Sequence, residues 1–454
     1  MTMFSTKTLV YGLGESGLSA ARALAEWGYT VTAADTADSQ SLRSAAVELE
    51  EIGVQTRLGA GPEVLEGVDL VVVSPGVPPR DSVLRAAEER GIPVLSEVAL
   101  GLELLGPEVR VAAVTGTNGK TTVADMTRRI LEEAGLDHVV AGNSWTAITG
   151  KLKEIRRAGR LVLEVSSFQL HYMRDPGFEA AALLNVRPDH MNWHASFEEY
   201  AADKLRIFEG QGEKDLALLG ARDPVCAGVA DELSARTMLV GQGDTRVEDG
   251  FLYLDGELLV RVEDMGFAGR HNHENALFAA ALARRLGASA EEIGRGLEGY
   301  RMKPHRMEVV AERGGVLYVD DSKATNPAVV AAALAGLDRP VVLLLGGSEK
   351  HTDFSEVAEY VDGCRAVVCY GEAGGRIADF LESGAGSRTE ILCAAGLEAA
   401  IHEAEARARD GDVVLLSPGC ASFDEFSGYE QRGEEFARLC KTGLAEVQRG
   451  AAGA

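Results

Sequence analysis

Val111-Ala112-Ala113-Val114-Thr115-Gly116-Thr117-Asn118-Gly119-Lys120-Thr121-Thr122 is a short apolar run, a glycine-punctuated loop and the opening of a helical pattern. The run reads as a buried strand and the loop as a phosphate cradle. Glycines let backbone amides approach an anion with no Cβ in the way. The helix that follows offers unpaired N–H groups, Lys120 adds a point charge, and the Thr121 hydroxyl can ligate Mg²⁺. Val114 stands where the general pattern has its first glycine, so the loop is a shortened variant. An ordinary strand-turn-helix with a chance Gly-Lys is the alternative, disfavoured because loop, lysine and hydroxyls coincide where a strand passes into a helix.

The flanking segments repeat this alternation. Upstream, Thr8-Leu9-Val10-Tyr11 runs into Gly12-Leu13-Gly14-Glu15-Ser16-Gly17 and an alanine-rich helix, and the next strand ends at Asp35-Thr36. A GxGxxG loop with an acid closing the second strand marks nucleotide binding at a helix N-terminus. NAD or FAD is the default ligand, and a nucleotide sugar uses the same geometry. Ser74-Pro75-Gly76 follows another apolar strand, at the carboxyl end where ligands of open parallel sheets sit.

Downstream, Leu161-Val162-Leu163 ends in Glu164-Val165-Ser166-Ser167-Phe168-Gln169, an acid placed to hold Mg²⁺ directly or through water. Ala181 to Val186 leads to Asp189-His190-Met191-Asn192-Trp193-His194 and a helix carrying Lys204. The His190/His194 spacing suits zinc only with a third ligand, and none is evident. Asn272 and Asn275 share one face of a helix start, where they read an adenine or ribose edge, or Asn272 simply caps the helix. The last segment carries Asp321-Ser322-Lys323-Ala324-Thr325-Asn326, Gly346 to Lys350 and Ser417 to Phe423, each after an apolar strand. The pattern predicts three consecutive α/β domains: Rossmann-like over 1–107, P-loop ATPase-like over 108–302 and Rossmann-like over 303–454.

Composition narrows the function. At 454 residues the chain exceeds one ordinary core, and a formal charge of −25 opposes a nucleic-acid surface. Anionic small ligands remain compatible, because the field in a site is set by the groups nearby. Six cysteines in no metal-binding spacing suit a reducing compartment. No apolar run is long enough to span a bilayer, and a basic segment followed by a long apolar one is not seen at the start. A soluble cytoplasmic monomer is expected.

Taken together, the loop at Thr115 to Thr122, Glu164 with Ser-Ser-Phe-Gln, Asp189-His190, Lys204, His271-Asn272 with Asn275, His305-Arg306 and Asp321-Ser322-Lys323-Ala324-Thr325-Asn326 resemble the Mur ligases of peptidoglycan synthesis. The resemblance runs the length of the chain in the family's order and is closest to the D-glutamate-adding branch. It implies that ATP phosphorylates the alanyl carboxylate of UDP-N-acetylmuramoyl-L-alanine and that the amine of D-glutamate attacks the acyl phosphate through a tetrahedral intermediate.

By motif match the resemblance implies an ATP set of Gly116, Thr117, Asn118, Gly119, Lys120, Thr121, Thr122, Asn272, Asn275, Arg306, Asp321 and Lys323. It implies two Mg²⁺ ions held by Thr121, Glu164, His190 and Lys204, the lysine as a carbamate. Lys120, Glu164, His190 and Lys204 are then the catalytic set. Gly14, Glu15, Ser16, Asp35, Thr36, Ser74, Gly76 and Asn143 fall where the family binds the UDP substrate, and Thr325, Lys350, Ser422, Phe423 and Tyr429 where it binds D-glutamate.

The chain departs from the family at Ser144-Trp145, in place of the usual Ile-Gly, and at Asn192-Trp193-His194, in place of the commoner Asp-Arg-Tyr. Glu15 puts an acid near the UDP pyrophosphate, and Ala37 replaces an arginine found in some relatives. Three rival readings remain. A dehydrogenase accounts for Gly12, Gly14, Gly17 and Asp35 but leaves Lys120 unexplained. A ligase of the same superfamily with another acceptor is nearer, and a nucleotide-binding regulator needs no acceptor-dependent phosphate release.

Overall fold

The computed structural model describes residues 7–191, 193–267, 269–301, 304–335, 337, 339–349, 352–383 and 389–442. They form two compact units, one made of the chain up to Met265 with His273–Tyr300, the other of Gly266–Asn272 with the chain from Arg301 onward.

The first unit holds two parallel sheets and a small antiparallel one. Strands β1 (Lys7–Tyr11), β2 (Thr30–Asp35), β3 (Gln55–Leu58), β4 (Leu70–Val73) and β5 (Val94–Ser96) lie in the order β3-β2-β1-β4-β5. The order reverses beside β1, so the glycine loop that follows β1 opens at a topological switch point. Gly12 takes φ +88°, and a Cβ on Gly17 would collide with the Gly12 carbonyl, so only glycine lets the helix Glu15–Glu26 start so close to the strand.

The second parallel sheet comprises β6 (Arg110–Thr115), β7 (Val139–Gly142), β8 (Arg160–Glu164), β9 (Ala180–Leu183), β10 (Leu216–Gly220) and β11 (Arg236–Val240), ordered β11-β10-β9-β6-β8-β7. Central β6 is covered on both faces, which is why it reads as an unbroken apolar run rather than an alternating one. The small antiparallel sheet has three strands, β12 (Arg246–Glu248), β13 (Phe251–Leu254) and β14 (Glu257–Arg261).

The second unit has one six-stranded sheet of β15 (Glu308–Arg313), β16 (Val316–Asp320), β17 (Val341–Gly346), β18 (Cys364–Tyr370), β19 (Glu390–Ala394) and β20 (Val413–Gly419), ordered β15-β16-β20-β17-β18-β19. All pairs are parallel except β15 with β16. Among the described residues no helix is long and apolar enough to cross a membrane.

Candidate active site

The loop after β6 wraps the start of helix Lys120–Glu133, with Gly119 at φ +90° as its left-handed N-cap. A Cβ on Gly119 would stand 2.6 Å from Asn275 Oδ1, so Asn275 packs directly on the phosphate loop. Asn185, just past β9, fixes the loop from the other side. Its carbonyl accepts from the Thr117 amide (2.9 Å), its Oδ1 from the Asn118 amide (2.9 Å), and its Nδ2 donates to the Asn118 carbonyl (3.1 Å). Thr117 Oγ1 accepts from the Arg187 amide and lies 2.9 Å from the Tyr200 hydroxyl.

Two lysines meet at this loop. Lys120 Nζ donates to the carbonyls of Gly116 (2.8 Å) and Thr117 (2.9 Å), and Lys204 Nζ donates to the same Gly116 oxygen (2.8 Å). Lys204 is buried on helix Phe197–Leu205, with its ammonium 4.6 Å from the Tyr200 ring centroid. Burial, reinforced by the neighbouring Lys120 charge, holds its pKa well below the ordinary lysine value. An amine that can shed its proton is therefore built into the loop's underside.

Glu164 ends β8 with no exposed surface. Its Oε1 accepts from Ser144 Oγ (2.9 Å), Asn143 Nδ2 (3.0 Å) and Thr121 Oγ1 (3.2 Å), and its Oε2 from Trp145 Nε1 (2.9 Å). Among the described residues no lysine, arginine or histidine comes within 4.0 Å of this carboxylate. A buried carboxylate whose described donors are all neutral is a fit for a cation. Ser144 and Trp145, departures in the sequence, thus become donors to the proposed metal ligand. Trp145→Phe removes the one described donor to Oε2 and is expected to lower unfolding stability by about 1–3 kcal/mol, read by urea denaturation; an unchanged midpoint would assign the orientation of Glu164 to Oε1 alone.

His190 stands at φ +58° in a turn after β9, edge-on to Phe168 with ring centroids 4.8 Å apart. Partial burial lowers its pKa; Asp189 opposes that shift, while Lys120 and Lys204 add to it, so the neutral form that a metal ligand needs is favoured. Neither described cluster of three histidine or carboxylate atoms within 4.8 Å of one another contains His190 or His194. Asn192 lies outside the described residues.

At the first glycine loop, Asp35 Oδ2 accepts from the Leu13 amide (2.8 Å) and Oδ1 from the Ala37 amide (2.9 Å). Oδ2 thus holds the loop that leads into Gly14, Glu15 and Ser16, and Oδ1 the turn that follows β2. Ser74 packs against this loop, since a Cβ on Gly12 would meet Ser74 Cβ at 2.8 Å; Gly76 and Thr36 follow the ends of β4 and β2.

In the second unit the residues singled out from sequence gather at the carboxyl ends of β16 and β20. Asp321 Oδ2 accepts from Ser417 Oγ (2.8 Å) and Oδ1 from the Met307 amide (3.3 Å), and burial pushes its pKa up to about 7. Lys323 Nζ sits 3.8 Å from the Tyr429 ring centroid, and the Arg306 charge acts on both Asp321 and Tyr429. Ser422 is buried, Thr325 half-buried and Phe423 exposed. Lys350 lies outside the described residues, and Asn272 is buried in the first turn of helix Arg270–Arg285. Arg432, unremarked in sequence, is fully buried and binds the Ser322 carbonyl and hydroxyl. Asn185 and Tyr200 were likewise missed; only the i,i+4 spacing of Tyr200 and Lys204 on one helix signals such a pair.

Known proteins share this organisation. Residues 6–96, 114–283 and 305–420 match the Mur ligase MurD-like N-terminal domain, the Mur ligase middle domain and the Mur ligase glutamate ligase domain. UDP-N-acetylmuramoylalanine--D-glutamate ligase of Rubrobacter xylanophilus is 66% identical over 434 residues, spanning 95% of this chain and 98% of that one. The enzyme of the same name from Aromatoleum aromaticum is 41% identical, spanning 97% and 98%. Among solved structures, MurF ligase from Thermotoga maritima in complex with ADP superposes with a TM-score of 0.61 at 16% identity, covering 99% of each chain, a likeness of fold. The chain belongs to the Mur ligase family, in the branch of the UDP-N-acetylmuramoylalanine--D-glutamate ligases.

Proposed function

We propose that the chain is an ATP-dependent ligase that joins D-glutamate to the alanyl carboxylate of UDP-N-acetylmuramoyl-L-alanine, releasing ADP and phosphate. The observation that carries the chemistry is the meeting of Lys120 and Lys204 on the Gly116 carbonyl of a phosphate loop. The 66% identity to a D-glutamate ligase supports the acceptor.

A carboxylate is a poor electrophile, so it is first phosphorylated. The amine then attacks the acyl carbon and inorganic phosphate leaves from a tetrahedral intermediate. In this reading Lys120 and the amides of Thr117 to Thr122 cradle the β- and γ-phosphates, and Asn272, Asn275, Arg306, Asp321 and Lys323 complete the nucleotide set. Thr121 and Glu164 hold one Mg²⁺, and His190 with a carbamylated Lys204 holds the second. The ions, when bound, would neutralise the triphosphate and substrate carboxylate so that two anions can meet. Lys204 becomes a ligand when its neutral amine adds CO₂ and releases a proton. Gly14, Glu15, Ser16, Asp35, Thr36, Ser74, Gly76 and Asn143 bind the nucleotide sugar, and Thr325, Lys350, Ser422, Phe423 and Tyr429 the acceptor. Six free thiols suit a reducing cytoplasm.

Phosphate release from ATP, with UDP-N-acetylmuramoyl-L-alanine and a panel of amino acids, tests the assignment. D-Glutamate is expected to be the one acceptor that drives turnover. Stimulation by a different amino acid, with D-glutamate inert, would overturn it.

A further inference from the structure

We propose that Asp203, His171, His194 and Ser167 form a positioning network that holds Glu164, His190 and Lys204 in mutual register. The proposal rests on the reading of those three as the Mg²⁺-handling groups. Asp203 is buried, and its Oδ2 accepts from His171 Nδ1 (2.8 Å) while its Oδ1 accepts from Arg206 Nε (3.2 Å). His194 Nδ1, buried and otherwise unpartnered, faces the same Oδ2 at 3.3 Å. The other ring nitrogen, His194 Nε2, lies 3.0 Å from Ser167 Oγ. With its proton on Nδ1 toward the carboxylate, the ring accepts the serine hydroxyl, so one tautomer satisfies both ends.

The four members come from three strips of the proposed cradle, Ser167 and His171 sharing one helix. Ser167 opens the helix Ser167–His171 just after Glu164, and Ser166 caps that helix with a reciprocal Gln169 contact. His194 closes the turn that presents His190, because the amides of Trp193 and His194 both donate to the His190 carbonyl (2.9 and 3.1 Å). Asp203 is the immediate neighbour of Lys204 on its helix. The rings fill the space between: His194 stacks on Phe168 at 5.6 Å and meets Tyr200 at 5.1 Å, while Phe168 supports His190. Three strips distant in sequence are thus tied behind the cradle by one shared carboxylate. A buried polar chain closed on one shared carboxylate favours a single arrangement, which is what ligands of an exacting cation need.

The test compares Asp203→Asn, His194→Gln and the milder His171→Gln with the parent, measuring kcat, the Mg²⁺ concentration for half-maximal turnover, KM for D-glutamate and the melting temperature. The expected result is a loss of about 10- to 100-fold in kcat or in Mg²⁺ affinity, with KM for D-glutamate unchanged. Asp203→Glu is expected to recover part of it. Folded variants with both parental kcat and parental Mg²⁺ dependence, or a loss of kcat that merely follows the folded fraction, would overturn the proposal. So would a tightly bound metal ion present in the parent and absent from Asp203→Asn, since His171, Glu199 and Asp203 would then be its ligands. Glu164→Gln separates the two readings: parental Mg²⁺ dependence there defeats the cradle itself, whereas a defect there beside a normal Asp203→Asn defeats only the network.

Discussion

Lys204→Ala is expected to lose turnover by about a thousandfold or more, the scale on which removal of a preorganised charge from a phosphoryl-transfer site is felt. The space left by the side chain should admit a small carboxylate, so acetate or formate is expected to restore part of the activity. The same residue makes a prediction about stability whose sign can be worked out. Burial, then Lys120, depresses its pKa in the folded protein, whereas the unfolded chain titrates near 10.4. Between the folded and unfolded pKa values the unfolded chain holds a proton that the folded one lacks, so stability rises with pH across that window. Below the folded pKa both states are protonated and the full cost of burying the ammonium is present. Lys204→Met removes that cost, so in CO₂-free buffer at neutral pH it is expected to be more stable by about 1–3 kcal/mol while remaining inactive. An active Lys204→Ala without additive would end the carbamate reading. A destabilised Lys204→Met would show instead that the bond to Gly116 outweighs the burial.

The fold was legible because parallel strands buried on both faces leave apolar runs that end in glycine and polar residues. β6, β8, β9 and β16 all announce themselves this way. Strand β15 did not, because it is an edge strand with no fully buried residue. Chain-local chemistry was legible too: a glycine loop, its lysine and a strand-end acid lie within reach of a pattern. What escaped were partners brought in by tertiary folding. Asn185 orders Asn118 across 67 residues, and Arg432 reaches Ser322 across 110. Trp145 looked like a mismatch in a substrate-binding strip, yet its indole is a donor to Glu164. Asp35 reads in the sequence as a nucleotide-site acid, and its two bonds to backbone amides give it a loop-shaping part that no spacing could reveal.

Arg432→Met is expected to destabilise the second unit by about 3–5 kcal/mol and to lower its melting transition by about 10 °C, measured by calorimetry. The guanidinium has no exposed surface. It donates through Nε to Ser322 Oγ (2.9 Å), through Nη2 to the Ser322 carbonyl (2.7 Å) and through Nη1 to the carbonyls of Cys420 and Ala421 (3.1 Å each). One planar fork therefore ties the loop after β16, which carries Asp321 and Lys323, to the segment after β20, which carries Ser422. Gly347 packs against it, since a Cβ there would stand 3.1 Å from Nη1. Methionine fills much of the space but takes away the guanidinium's donation to four oxygens, the Ala421 carbonyl still accepting from the Ser348 amide (2.9 Å), and those losses dominate the cost. Lysine keeps the charge without the fork, so Arg432→Lys is expected to fall between parent and Arg432→Met in stability, with KM for D-glutamate raised more than kcat is lowered. If Arg432→Lys folds like the parent and binds the acceptor equally well, charge alone is sufficient at this position. A raised KM in a protein that melts normally would instead make the fork the device that aligns Ser422 toward the acceptor.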